Sequence, residues 1–279
     1  TPEKVQHAVD LGLEWMMRAQ HANGGWGAGS HSRQDIKNPH AVETDPAPTA
    51  LVAMAMLRSG TTLSQGPYSR SLRNALDHLL QTVENAPVNS PNITEVTGTQ
   101  IQTKLGNNID VILTSQFLSN IYDHLEDEPT LRARVKAGQQ ICVDKIQAAQ
   151  ETNGSTAGSG WAGVLQSSFA TNALESAEAN GVSVDKNALD NARKFQKNNY
   201  NTRTGDVNTD LGAGVVLYSI TGSVRASAKE ARKVEEVMQR AKREGKISKS
   251  AAPTAENLQK IGYAQDEALQ YATAYEVYQ

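Results

Sequence analysis

Gly12-Leu-Glu-Trp-Met-Met-Arg-Ala-Gln-His-Ala-Asn-Gly-Gly-Trp26 is the stretch whose reading decides the fold. Counting back from it, Val5, Val9, Gly12, Leu13, Met16 and Ala19 recur at intervals of three and four. That is the period of one helix face, and charged residues occupy the other side. Asn23-Gly24-Gly25 then ends the helix with residues that tolerate a left-handed backbone. Trp26 brings a large apolar ring to the turn. A polar loop from Ala28 to Glu43 follows, and Asp45-Pro46 restarts a helix, because an acid and a proline both suit a first turn. The helix so begun, Pro48-Thr-Ala-Leu-Val-Ala-Met-Ala-Met-Leu57, is apolar and built of small residues, and Gly60 closes it.

This plan of amphipathic outer helix, Gly/Asn/Ser-rich loop and apolar inner helix repeats along the chain. The second outer helix runs from Ser69 to about Val83 with a stripe of Leu72, Ala75, Leu76, Leu79 and Leu80, and its inner partner from Ile109 to Tyr122. The third pair is Leu131 to Gln150 and Val164 to Ala179, joined by a loop that carries Trp161. The fourth is Asp185 to Lys197 and Leu211 to Ile220, with Thr221-Gly222 as its stop. Ala228 to Glu244 and a helix from about Gln265 to the end make the fifth, around a loop with Pro253. The expected fold is therefore all-α, one domain over 1–279 with units 3–62, 68–127, 131–183, 185–224 and 228–279. Inner helices start roughly 40 to 60 residues apart, near the range of helical-pair repeats. Such hairpins stack as an open solenoid or close into a ring, and periodicity does not choose between them. No segment alternates as a strand does.

Composition narrows the function classes. With 27 basic and 30 acidic residues the net charge of -3 offers no global attraction to nucleic acid or anionic lipid. The charge run from Lys229 to Lys246 mixes both signs and reads as a solvated helix face. No run approaches the roughly 18 apolar residues of a membrane span, and Thr1-Pro-Glu-Lys4 lacks a signal-peptide layout, so the chain is expected in the cytoplasm or exported after signal removal. Cys142 is the single cysteine, within a helix-spaced apolar stripe, and reads as a packed core thiol.

Gly12, Trp15-Met16, Gln20 and Gly24-Gly25-Trp26 together resemble the QW repeat of squalene-hopene and oxidosqualene cyclases, in the prenyltransferase and squalene-cyclase repeat superfamily. Ala137-Gly138, Ile141 and Gly160-Trp161 resemble a degenerate copy with a stretched loop. The resemblance implies an α/α-toroid in which Gln20, Gly24, Gly25, Trp26 and Trp161 are structural residues that brace neighbouring helices. Five pairs are fewer than that family's closed ring holds, and the last helix still runs at Gln279. An incomplete or open ring is therefore expected: a C-terminal part lies beyond Gln279, a partner protein closes the seam, or the seam stays a groove.

The chemistry that the resemblance implies finds few residues to carry it. Acid-initiated terpene cyclases use Asp-x-Asp-Asp and an aromatic cavity, whereas this chain lacks the motif and is 5% aromatic, with tyrosines gathered at Tyr263, Tyr271, Tyr275 and Tyr278. Prenyltransferases hold zinc with Asp, Cys and His, and Cys142 has no histidine near it in sequence. Lantibiotic cyclases need two cysteines. His31 and His40 with Asp45 are weak metal-site candidates. Asp206-Val-Asn-Thr-Asp210 begins like a calcium loop, but Leu211 and Leu217 stand where Gly and the bidentate Glu belong. Ser183-Val-Asp-Lys186 reads as a helix start. No cofactor is called for.

One pattern remains. Asp45 with Thr49, Asp110 with Thr114, Asp210 and Asp266 stand at or near the starts of inner helices. Capping and dipole compensation explain such acids, and so does a polar rim that binds a cationic or polyhydroxyl ligand. The functional expectation is a non-catalytic or cryptically catalytic helical toroid that binds a small or extended ligand, or a partner protein, in its central cleft. Its rivals are an isoprenoid-processing enzyme and a polysaccharide-active enzyme on an α/α-toroid, the latter with its substrate groove in the loops Ala28 to Glu43 and Asn85 to Asn108.

Overall fold

In the computed structural model, which describes residues 2–33, 35–156, 158–201 and 204–279, the chain is all-helical. Its elements are α1 (Glu3–Arg18), α2 (Pro46–Arg58), α3 (Ser69–Glu84), α4 (Gln100–Leu105), α5 (Ile109–Tyr122), α6 (Pro129–Ala148), α7 (Gly163–Ala179), α8 (Lys186–Lys197), α9 (Val216–Arg243), α10 (Ala255–Lys260) and α11 (Gln265–Tyr278). Among the described residues there is no strand, and the only bridges are isolated ones, Ser30 with Thr99 and Tyr200 with Val207.

The apolar helices α2, α5, α7 and the start of α9 pack in succession, and α3, α6 and α8 cover them. Twelve of the fourteen residues of α5 are buried, which makes it the centre of the array between α2, α6 and α7. Its neighbours enclose even polar Asp110, Thr114, Ser115, Gln116 and Ser119, so almost no solvent face remains. By contrast α3 presents Leu72, Ala75, Leu76, Leu79, Leu80 and Val83 to the core, the stripe its sequence spells, and leaves the other face to water. Cys142 is fully buried in this core, and burial pushes its thiol up from the ordinary range. A second cluster, Val234, Met238, Leu258, Ala268 and Ala272, joins the second half of α9 to α10 and α11.

Three features depart from the sequence reading. Thr221-Gly222 does not end a helix: α9 runs unbroken through it for 28 residues, across the expected boundary between the fourth and fifth units. Gly222 serves a close approach, since a Cβ there would lie 2.3 Å from Gln196 Oε1 of α8. Buried Ser219, Ser223, Ala226 and Ser227 continue this thin face, which lets α9 lie tightly on α7 and α8. Leu211, the expected start of that helix, sits instead in a turn, and helix begins at Val216. Finally, α1 is only lightly engaged. Leu13 and Ala19 are buried, but Val5 and Val9 of the expected core stripe are 50% and 45% exposed. Among the described residues no substantial packing joins α1 to α11. Among the described residues no helix is long and apolar enough to cross a membrane.

Candidate functional site

The turn after α1 is built from its own backbone outward. Gly24 adopts φ +92°, the left-handed region that a side chain resists, and lies so near α3 that a Cβ would meet Asn74 O at 2.3 Å. Around it, the His21 N–H donates to Gly25 O (3.0 Å), the Gly24 N–H to His21 O (2.9 Å) and the Gly25 N–H to Asn23 Oδ1 (3.1 Å). Gln20 Nε2 donates both to Gly24 O (2.9 Å) and to Ser71 O of α3 (2.8 Å), so the turn is clasped to the next outer helix. Trp26 is buried; its indole N–H donates to Met16 O of α1 (2.7 Å) and its backbone N–H to Thr49 Oγ1 of α2 (2.9 Å). Gln20, Gly24, Gly25 and Trp26 thus hold three helices together.

Trp161 does not repeat this role. It is 54% exposed, with the Lys104 ammonium 5.9 Å from its ring centre. The second clasp is instead Gln150 to Thr156. Gln150 Nε2 donates to Gly154 O (3.3 Å) and to Ala188 O of α8 (2.9 Å). Gly154 has φ +87° and lies against Asn191 O, Glu151 N donates to Ser155 O (2.8 Å), and Ser155 N donates to Asn153 Oδ1 (2.9 Å). The Thr156 N–H donates to Ser167 Oγ of α7 (3.1 Å), as Trp26 does to Thr49. The shared signal is Gln-x-x-Asn-Gly, present at 20–24 and at 150–154. The tryptophan of Gly160-Trp161 hides it, because this more conspicuous residue stands five positions beyond Thr156, the true counterpart of Trp26.

Of the acids at inner-helix starts, two come together. Asp45 caps α2, its Oδ1 accepting from the Ala47 N–H at 2.9 Å. Thr49 Oγ1 donates to Asp45 O (2.8 Å) one turn on. Asp110, in the first turn of α5, accepts the Ile93 N–H at Oδ2 (2.8 Å), which pins the loop before α4. Asp45, Thr49, Asp110 and Thr114 are all fully buried. Asp45 Oδ2, Asp110 Oδ1 and Thr114 Oγ1 have no hydrogen-bond partner. Burial pushes the Asp110 carboxyl up to about 7 against the pull of the Ile93 and Val111 N–H groups, and the charge of Asp45 adds to the rise. Asp45 is raised by burial too, opposed by the Ala47 N–H and by the Thr99 side chain. Burial thus favours the protonated form at both carboxyls.

Asp210 and Asp266 are exposed, the first in the turn before α9 and the second in the first turn of α11, and neither shares that buried site. The four acids therefore do not form one rim. His31 and His40 are likewise separate. His31 Nδ1 lies 2.5 Å from Gln100 Oε1, whereas His40 Nε2 lies 3.2 Å from Arg18 O and its ring centre is 5.1 Å from that of His21, the two planes tilted by 57°. Among the described residues no group of three His, Cys, Asp or Glu side chains is placed to hold a metal ion. Compared with known proteins, the chain matches no family model, no curated protein and no solved structure.

Proposed function

We propose that the chain is a helical-repeat scaffold, an open α/α-toroid of QW type, that seats a partner protein against α1. The observation that carries this reading is the exposed face of α1. Val5, Val9, Leu11, Trp15 and Met17 are each between 39% and 54% exposed along one 16-residue helix. Single apolar residues are ordinary on a surface, but Leu11 and Trp15, one turn apart, share one side of α1 and Val5 and Val9 share the adjacent side, an apolar surface of the kind that marks an interface. Trp15 is the type of residue that anchors such contacts. In a repeat array each unit buries its neighbour, so a helix surface that no described element covers offers the same kind of face to another molecule.

A photocrosslinking residue at Val9, in extracts of the cells that make the protein, tests the reading. A discrete protein adduct that disappears in Trp15→Glu, with the melting temperature unchanged, is the expected result. Absence of a discrete adduct, or a melting temperature lowered by Trp15→Glu, would overturn it, the second because the face would then be packed within the chain. One observation favours a second reading, an acid-initiated isoprenoid-processing enzyme: Asp110 keeps a proton near neutral pH beside Asp45. Turnover of a polyprenyl substrate that Asp110→Asn abolishes would replace the scaffold reading.

A further inference from the structure

A groove of about 660 Å³ lies between the end of α3, the segment 86–91 and α6. Its size falls within the range of sites for small molecules, roughly 300 to 1,000 Å³. Val83, Ala86, Val88, Pro91 and Ile141 make its wall mostly apolar. Lys145 lines it as well, at 8% exposure the one buried cation among the described residues. Its ammonium donates to Pro87 O (2.7 Å) and Ser90 O (2.6 Å). An ammonium has three N–H donors, so one remains without an acceptor among the described residues.

No carboxylate of the described residues forms an ion pair with Lys145. The two acids that share the groove are engaged elsewhere: Glu84 holds Arg134 at 2.6 and 2.8 Å, and Asp144 accepts from Gln140 Nε2 at 2.9 Å. Two carbonyl dipoles are a weak substitute for a counter-charge, and a buried cation without one is costly. Apolar walls around an ammonium with one donor left and no counter-charge define the complement: an anionic head on an aliphatic body.

We infer that this groove binds an aliphatic monocarboxylate, its head on Lys145 and its chain along Val83, Val88 and Ile141. Contact with the carboxylate replaces the missing counter-charge, and the chain covers Val88, which is 93% exposed. This site is separate from the α1 face and does not depend on it.

Calorimetric titration of the full chain with decanoate, below its micellar range, and with decanol tests the inference. Saturable one-to-one binding of decanoate, at least about tenfold tighter than decanol, is expected from a charge-assisted contact. Lys145→Met should weaken decanoate by a similar factor, and Ala148→Trp, on the exposed lip of the groove, should abolish it while circular dichroism stays unchanged. No saturable decanoate binding, equal affinity for decanol, or undiminished binding to Ala148→Trp would each overturn the proposal. The last two arms need only the native chain and a surface variant, so the test stands even where Lys145→Met fails to fold.

Discussion

The turns after α1 and after α6 have the same hydrogen bonds and different side chains at the position that follows. Gln20 and Gln150 each reach the next outer helix, Gly24 and Gly154 each take the left-handed backbone, and Trp26 and Thr156 each donate to a hydroxyl of the inner helix. The backbone frame thus depends on glutamine, asparagine and glycine. Tryptophan is an addition where the helix before the turn has few neighbours. α6 packs on α3, α5 and α7 and needs no further support, whereas α1 packs mainly on α2 and is held at its end by Trp26 through Met16 O.

Removing the ring is the strongest way to break the comparison. Trp26→Ala should cost about 4 kcal/mol, the range for a buried tryptophan, and should release α1 to hydrogen exchange. Thr156→Ala, whose Oγ1 has no partner, should change stability by less than about 0.5 kcal/mol in the same urea denaturation. Equal losses would mean that the two turns bear the same load. Next come the glycines. Gly24→Ala and Gly154→Ala should each cost about 3 kcal/mol, from positive φ and a backbone carbonyl 2.3 and 2.2 Å from the new Cβ. A clear difference between them would show that the frames are not equivalent.

The comparison extends to the helix starts, where α2 and α5 carry Asp45 and Asp110 while α7 starts at Gly163. Because the folded Asp110 carboxyl is raised to about 7, its contribution to stability is full below its unfolded value of 3.8 and lost as pH rises through 7. Asp110→Asn removes that dependence. It should therefore stabilise the protein at pH 8 by on the order of 2 kcal/mol, with little gain at pH 4. A pH-independent loss in paired melts would refute the protonated pair. The smallest effect is expected at Trp161→Ala, within about 0.5 kcal/mol, because this half-exposed ring braces nothing. A loss near that of Trp26→Ala would restore it to the turn motif.

These contrasts also mark how far the residues could be read in advance. The stripe of α3 and the cap at Asp45 were legible, because each depends on neighbours within about one helical turn. Gln20, Gly24 and Trp26 were expected as a brace only from the resemblance of their spacing to a QW repeat, because their partners Ser71 O and Thr49 Oγ1 lie 51 and 23 residues away. Gln150 was legible in principle, through its Gln-x-x-Asn-Gly spacing, but its partner Ala188 O lies 38 residues away. Gly222 looks the same in sequence as a helix stop or as a thin spot under Gln196, and only the neighbour distinguishes them. Asp45, Asp110, Asp210 and Asp266 look alike as helix-start acids, yet two are sealed and two face water.

By itself the sequence determined the all-helical class, the period of the helices and the glycine turn after α1, since hydrogen bonds and φ preferences act along a few residues of chain. Tertiary structure alone decided the continuity of α9, the pairing of Asp45 with Asp110, the second clasp at Gln150 and the unmatched ammonium of Lys145. Each of these depends on which groups exclude water from which, and that is settled by elements distant in the chain packing against one another.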